Sequence, residues 1–147
     1  MRLVADEARE RFGDAEVGRL ATVTPDGRPH VVPVVFAVDG DAVFVAVDDK
    51  PKTTREVARL RNVEANPAVS ILVDHYADDW SRLWWVRADG EATILRDEAE
   101  MERPIALLSA KYHQYRDHPP PGPVIAISVR RWVGWTGGSG LLGQSGG

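Results

Sequence analysis

A chain of 147 residues with 44% apolar and 27% charged side chains has the make-up of one globular domain, large enough for a core yet small enough that a second subunit could complete a site. A net charge of -4 argues against general binding to nucleic acid or to an anionic membrane, since both need a positive field. The absence of cysteine excludes disulfides, thiolate nucleophiles and sulfur-ligated metals; with no leader-like or membrane-length apolar stretch, the expected location is cytoplasmic.

Residues 3–12 carry Leu3, Val4, Ala8 and Phe12 near one helical face, and Gly13-Asp14 ends that helix. Val17–Thr24 reads as a first strand. In the turn Pro25-Asp26-Gly27, proline sets the early dihedral and glycine accepts positive φ. A second strand runs from about His30 through Val38. Pro33 interrupts its ladder and marks a bulge, an edge or a place where backbone faces a ligand. Asp39-Gly40-Asp41 turns the chain into Ala42–Val47. These runs are almost continuously apolar, which suits strands with one face in a barrel core and the other under a helix or a second subunit.

A helix capped by Thr53 or Thr54 is expected to run to Ala65, where Asn66-Pro67 stops it. Ala68–Asp74 is a further strand, and 75–82 a polar connection holding Tyr76 and Trp80. Leu83–Leu95 reads either as one long strand or as a hairpin turning at Asp89-Gly90, with Trp84 and Trp85 on opposite faces. Asp97 caps a helix to about Tyr112, with Pro104 either kinking it or marking its first turn. Val124–Val129 is the last clear strand. Residues 1–136 are expected to form one domain, and the glycine-rich stretch 137–147 a flexible tail. About six antiparallel strands with two or three helices give a mainly β barrel. The short Asp-Gly turns leave no room for the crossover helices of a parallel sheet.

Lys50, Lys52, Thr53, Thr54 and Arg55 place three cations and two hydroxyls at the start of a helix, directly after an apolar strand. Such a group suits an anion such as a phosphate. A solvent-facing loop with a threonine cap is the plainer alternative. Arg59, Arg61 and Asn62 read most simply as exposed helix residues, and Asn66 as a helix-end cap. Backbone around Val32, Pro33 and Val34 could face the edge of a flat heterocycle. Of the five tryptophans, Trp132 and Trp135 suit an interface or pocket wall better than a core. Arg87, on the strand face of Trp85, points toward a ligand or an opposed carboxylate. His75 lies near Asp74, Asp78 and Asp79 without the spacing of a metal motif, so no metal is expected. No serine sits in a nucleophile elbow. What remains is a site that binds a large anionic cofactor and lets the cofactor do the chemistry.

The segments VGRLATVTPDGRPHVVPVVFAVDGDAVFVAVDDKPKT, RLRNVEANPAVSILVDHYADDWSRLWWVRADGEA and ALLSAKYHQYRDHPPPGPVIAISVRRWVGW resemble, in that order, the pyridoxamine 5'-phosphate oxidase-like split-barrel superfamily. More narrowly they resemble its actinobacterial branch that uses the deazaflavin coenzyme F420. The resemblance implies a homodimeric split β-barrel with two equivalent cofactor sites at the subunit interface. It implies ring contacts from Val32, Pro33 and Val34, a phosphate anchor at Lys50, Lys52, Thr53, Thr54 and Arg55, and a Trp132 segment reaching the cofactor. The activity it implies is hydride transfer from reduced F420 to a small or polycyclic electrophile, with Trp85, Arg87 and Tyr76 in the substrate pocket. FMN is the alternative cofactor, and a non-catalytic flavin, deazaflavin or tetrapyrrole carrier the alternative role.

Overall fold

The computed structural model describes residues 1–47 and 54–138, with the backbone alone for 54–57. Helix α1 (Ala5–Asp14) leads into β1 (Gly18–Val23), β2 (Pro29–Val34), β3 (Phe36–Asp39) and β4 (Ala42–Ala46). Then come α2 (Thr54–Ala65), β5 (Ala68–His75), a single 3-10 turn (Trp80–Arg82), β6 (Trp84–Leu95), α3 (Glu98–Lys111), the short α4 (His113–Asp117) and β7 (Val124–Thr136).

All seven strands belong to one antiparallel sheet in the order β2-β1-β5-β6-β7-β4-β3. β2 and β3 stand at its two ends, yet only Val35 separates them in the chain. The ends must therefore come together, and the sheet curls into a barrel that is split at that corner. Seven strands stand where about six were expected, because the run expected as one strand from His30 to Val38 breaks at Val35. The break is held from outside by the end of α3. The Tyr112 hydroxyl accepts from the Phe36 N–H at 3.1 Å and lies within reach of the carbonyls of Glu16 (2.9 Å) and Phe36 (3.0 Å).

The two expected turns carry positive φ at Gly27 (89°) and Gly40 (62°), the conformation for which glycine has no steric penalty. β6 continues through Asp89-Gly90 as one strand, so the hairpin alternative fails. The irregularity lies opposite, where Asp89 pairs with Arg131 and Gly90 with Val129, leaving Arg130 unpaired. A side chain on residue 90 would meet the Ser128 carbonyl oxygen, which is why a glycine fits the bulge. The extra residue switches the inward parity of β7 from Ile125, Ile127 and Val129 to Trp132 and Gly134.

The core fills the barrel with Leu20, Phe36, Ile71, Val86 and Ile127, and α1 plugs one end through Phe12. The Phe12 ring lies 4.8 Å from that of Phe36 and 5.2 Å from that of Trp132, centroid to centroid. Outside the barrel, Leu108 of α3 packs on Ala37 and Ala46. β3 and β4 are thus covered on both faces, which accounts for their unbroken apolar runs. Pro104 sits inside α3, and residues 139–147 of the expected tail lie outside the described residues. No helix among the described residues is long and apolar enough to cross a membrane.

Candidate functional site

Helices reach only part of the barrel's exterior. Phe12 of α1 and Asn62 of α2 pack on inward residues, and α3 covers β3 and β4. The outward face of β2, β1, β5, β6 and the second half of β7 is left open among the described residues. Register aligns Pro33 with Arg19, Arg19 with Leu72, Leu72 with Arg87, and Arg87 with Val133 across this face. One row further, Trp85 pairs with Asp74 and Trp135. Val31 is 60% exposed there, although its neighbours are largely apolar.

Asp89 lies in the middle of this face. It accepts from Arg87 (Nε to Oδ1 2.7 Å, Nη2 to Oδ2 3.1 Å), from Ser70 Oγ (2.8 Å) and from Arg131 Nη2 (3.1 Å). Burial alone would raise its pKa, but the hydrogen bonds from Arg87, Ser70 and Arg131 outweigh it and hold the carboxyl below the usual carboxylate range. The Arg87 guanidinium also lies 6.0 Å from the centroid of the Trp85 ring. Of the two partners expected for Arg87, the structure supplies the carboxylate, and it comes from its own strand.

The expected site residues divide. Trp85, Arg87 and Pro33 share the outward face. Tyr76 is exposed just beyond β5, next to His75, which stacks on Trp84 at 6.1 Å. Val32 and Val34 point inward and pack in the core, so their main chain alone is available to a ligand. β2 has β1 as its one strand neighbour among the described residues, and alternate backbone groups along its other side are unpaired by any strand. Pro33 therefore marks an edge, where a missing N–H breaks no inner ladder. Trp132 faces inward against Phe12, and its Nε1–H donates to Asp41 Oδ1 at 2.9 Å. That bond, followed by the neighbouring Arg9, holds the Asp41 carboxyl below its ordinary range despite some desolvation. Lys50, Lys52 and Thr53 lie outside the described residues. Thr54 opens α2, and the side chains of Thr54 and Arg55 are also outside them.

Sequence reasoning missed a polar cluster at the inner end of β1 and β2. Arg59, expected on the surface, is only 8% exposed, and Asn62 is buried with its Nδ2 donating to Thr22 Oγ1 at 3.0 Å. Thr22 pairs in register with His30, whose Nδ1 is buried with no hydrogen-bond partner among the described residues. The signal was available: Arg59, Asn62, Val63 and Asn66 fall at i, i+3, i+4 and i+7, one helical stripe. Asn66 does cap the helix end as expected, accepting from the Ala68 N–H at 3.0 Å. The open edge of β2 suits the polar edge of a planar ligand, whereas His30 shares the inward parity of Val32 and Val34 and its Nδ1 is closed to solvent. Among the described residues, no three His, Asp or Glu side chains gather as a metal would require.

The sequence pattern of the pyridoxamine 5'-phosphate oxidase family matches residues 4–136. The chain belongs to that family. Solved structures share the fold across nearly its whole length. An FAD-binding protein from Mesorhizobium loti is 23% identical and superimposes with a TM-score of 0.71 over 91% of this chain and 95% of its own. A conserved hypothetical protein from Mycobacterium tuberculosis is 22% identical, with a TM-score of 0.73 over 92% and 86%. HutZ, the heme storage protein of Vibrio cholerae, is 20% identical, with a TM-score of 0.68 over 91% and 95%. None of the curated proteins matches the chain by sequence. Membership of the oxidase family thus comes with structural relatives described as binding two quite different planar ligands.

Proposed function

We propose that this member of the pyridoxamine 5'-phosphate oxidase family is an F420-dependent reductase, working as a homodimer on a small or polycyclic electrophile. The observation that carries the reading is the open edge of β2, on a strand that resembles the ring-binding strand of the F420-using branch. Main-chain groups of Val32, Pro33 and Val34 hold the ring edge, and Lys50, Lys52, Thr53, Thr54 and Arg55 hold the phosphate. Bound and reduced, the deazaflavin supplies a hydride. The chain supplies position: an open outer face with a polar centre at Asp89, with Trp85 and Tyr76 as flat surfaces and Arg87 as a fixed cation. A second copy placed on the same face would bury Val31, which otherwise stays open to water, together with the half-buried Leu72 and Val133.

Titration of the purified protein with F420 and, separately, with FMN and FAD tests the cofactor. Tighter binding of F420 is the expected result, and flavin binding without F420 binding would overturn it. The FMN reading on the same barrel draws support from the FAD-binding relative, and a storage role from the heme protein. Turnover of an enone or quinone by the reduced holoprotein separates the enzyme from the carrier. Lys52→Ala should weaken F420 by about 1.5–3 kcal/mol, the worth of a charge-assisted hydrogen bond, and leave a phosphate-free ring analogue unaffected.

A further inference from the structure

β2 and β3 each have a single strand neighbour among the described residues, so their other edges border the split in the barrel and diverge from one residue, Val35. The position of that apex sets how the edge of β2 is presented. Two side chains at the end of α3 grip the backbone beside it. The Tyr112 hydroxyl accepts from the Phe36 N–H at 3.1 Å, and Lys111 Nζ donates to the Phe36 carbonyl at 3.0 Å. With that carbonyl supplied by the ammonium, the phenol's one proton goes to the nearer Glu16 carbonyl, 2.9 Å away against 3.0 Å. Glu16 lies two residues before Gly18, which closes the β1–β2 ladder opposite Val34. The phenol thus ties the approach to β1 to the start of β3 and brackets the last rung of β2.

We propose that Tyr112 and Lys111 are positioning residues that fix the open edge of β2 for its planar ligand, by holding the apex at Val35 from outside the barrel. The inference rests on the reading that a planar cofactor takes that edge.

The ring of Phe36 is held as closely as its backbone. Lys111 Nζ sits 3.9 Å from its centroid, the Phe12 ring lies 4.8 Å away, and a side chain at Gly18 would come within 3.3 Å of it. An aromatic face and a carbonyl oxygen both favour the charged ammonium. Phe36 is fully buried, so leaving its amide or carbonyl without a partner would be costly. Burial raises the Tyr112 pKa more than its hydrogen bond to Phe36 lowers it, so the phenol keeps the proton that Glu16 accepts. α3 is itself seated by Leu108 on Ala37 and Ala46, and by the buried Met101 nearer its other end. β3 is paired with β4 and covered by α3, whereas β2 is paired with β1 alone and has an open outer face. Loosening at Val35 therefore moves β2, the strand that presents the edge.

Amide exchange and ligand titration test this on the full chain. In Tyr112→Phe, exchange should accelerate at Val32 and Val34 as well as at Phe36, while β5 and β6 keep their native protection. Affinity for F420 and for a phosphate-free ring analogue should fall by the same factor, about three- to tenfold, since the clamp can pass on to the ligand no more than the lost hydrogen bond was worth. Lys111→Arg retains a cation and a donor and should stay within about twofold of native, whereas Lys111→Met should behave as Tyr112→Phe does. Met101→Ala should lower the urea midpoint at least as much, yet leave both the exchange at β2 and the affinity unchanged. Native rates at Val32 and Val34 in Tyr112→Phe, or a loss of affinity equalled by Met101→Ala, would overturn the proposal. The titrations are run with FMN and FAD as well, and the same comparison is read with whichever ligand the native protein takes. A native protein that takes none of the three defeats the functional reading instead, and the exchange rates then decide the clamp by themselves.

Discussion

Replacing Asp89 by asparagine probes the polar centre of the open face. Asp89 accepts four hydrogen bonds, two from Arg87 and one each from Ser70 and Arg131. Its side chain is 23% exposed, whereas that of Arg131 is 67% exposed and its contribution is largely screened by water. Ser70 and the two-pronged Arg87 contact remain, each a bond to a charged group worth about 1.5–3 kcal/mol when buried, and less here because Arg87 is itself partly wet. Asparagine preserves the shape and one acceptor oxygen but turns an NH2 group toward the guanidinium. A net loss of about 1–2 kcal/mol at neutral pH follows. The pH dependence has a definite sign. The folded carboxyl is held below its unfolded range, so its stabilisation is complete above the unfolded value of about 3.9 and disappears as pH falls through the folded one. Urea titrations of both proteins at neutral pH and at about pH 3, each at two protein concentrations, read this out. A gap below about 0.3 kcal/mol at neutral pH, or one that persists undiminished in acid, would refute the reasoning.

Phe12→Ala removes the plug that touches Phe36 and Trp132 and should cost about 3–5 kcal/mol, measured by denaturant unfolding. Gly90→Ala drives a β-carbon into the Ser128 carbonyl, so the bulge must shift; expected are a loss of about 1–3 kcal/mol and faster amide exchange at Ser128 and Val129. Val31→Lys places a charge on the open face and should convert a dimer to a monomer in sedimentation with unchanged circular dichroism; a native protein that already sediments as a monomer defeats the dimer proposal.

Most of the fold was legible because short-range chemistry dictated it. Gly27 and Gly40 carry the positive φ that the Asp-Gly turns required, Asn66-Pro67 ends α2, and the adjacent tryptophans fall on opposite faces, with Trp84 against the core and Trp85 beside Arg87. The misses share a different cause. The break at Val35 depends on Tyr112, 76 residues from the backbone N–H it accepts from, and no local pattern announces such a contact. The bulge opposite Gly90 is also set across strands. Asp89-Gly90 has turn composition, yet its glycine serves a close approach of β7 rather than a reversal of chain.

At the site, residue type proved more legible than direction. Arg87 was expected to meet a ligand or a carboxylate, and its Nε and Nη2 are committed to Asp89. A guanidinium so fixed is a rigid positive surface rather than a free clamp, and two arginines against one carboxylate leave the centre of the face with a surplus positive charge. Desolvating it beneath a partner or a ring would be costly unless the incoming group carried an anion or acceptor to match. That asymmetry favours an acidic or carbonyl-bearing ligand over a purely apolar one. Arg87 substitutions should therefore disturb the shape and charge of the face through Asp89 and Ser70. The direction of Trp132 was not legible for the same reason that β6 was ambiguous: one unpaired residue, Arg130, reverses which side of β7 looks inward, and that single insertion brings the indole into contact with Phe12 and Asp41 while it still lines a cleft with Arg9 and Arg131.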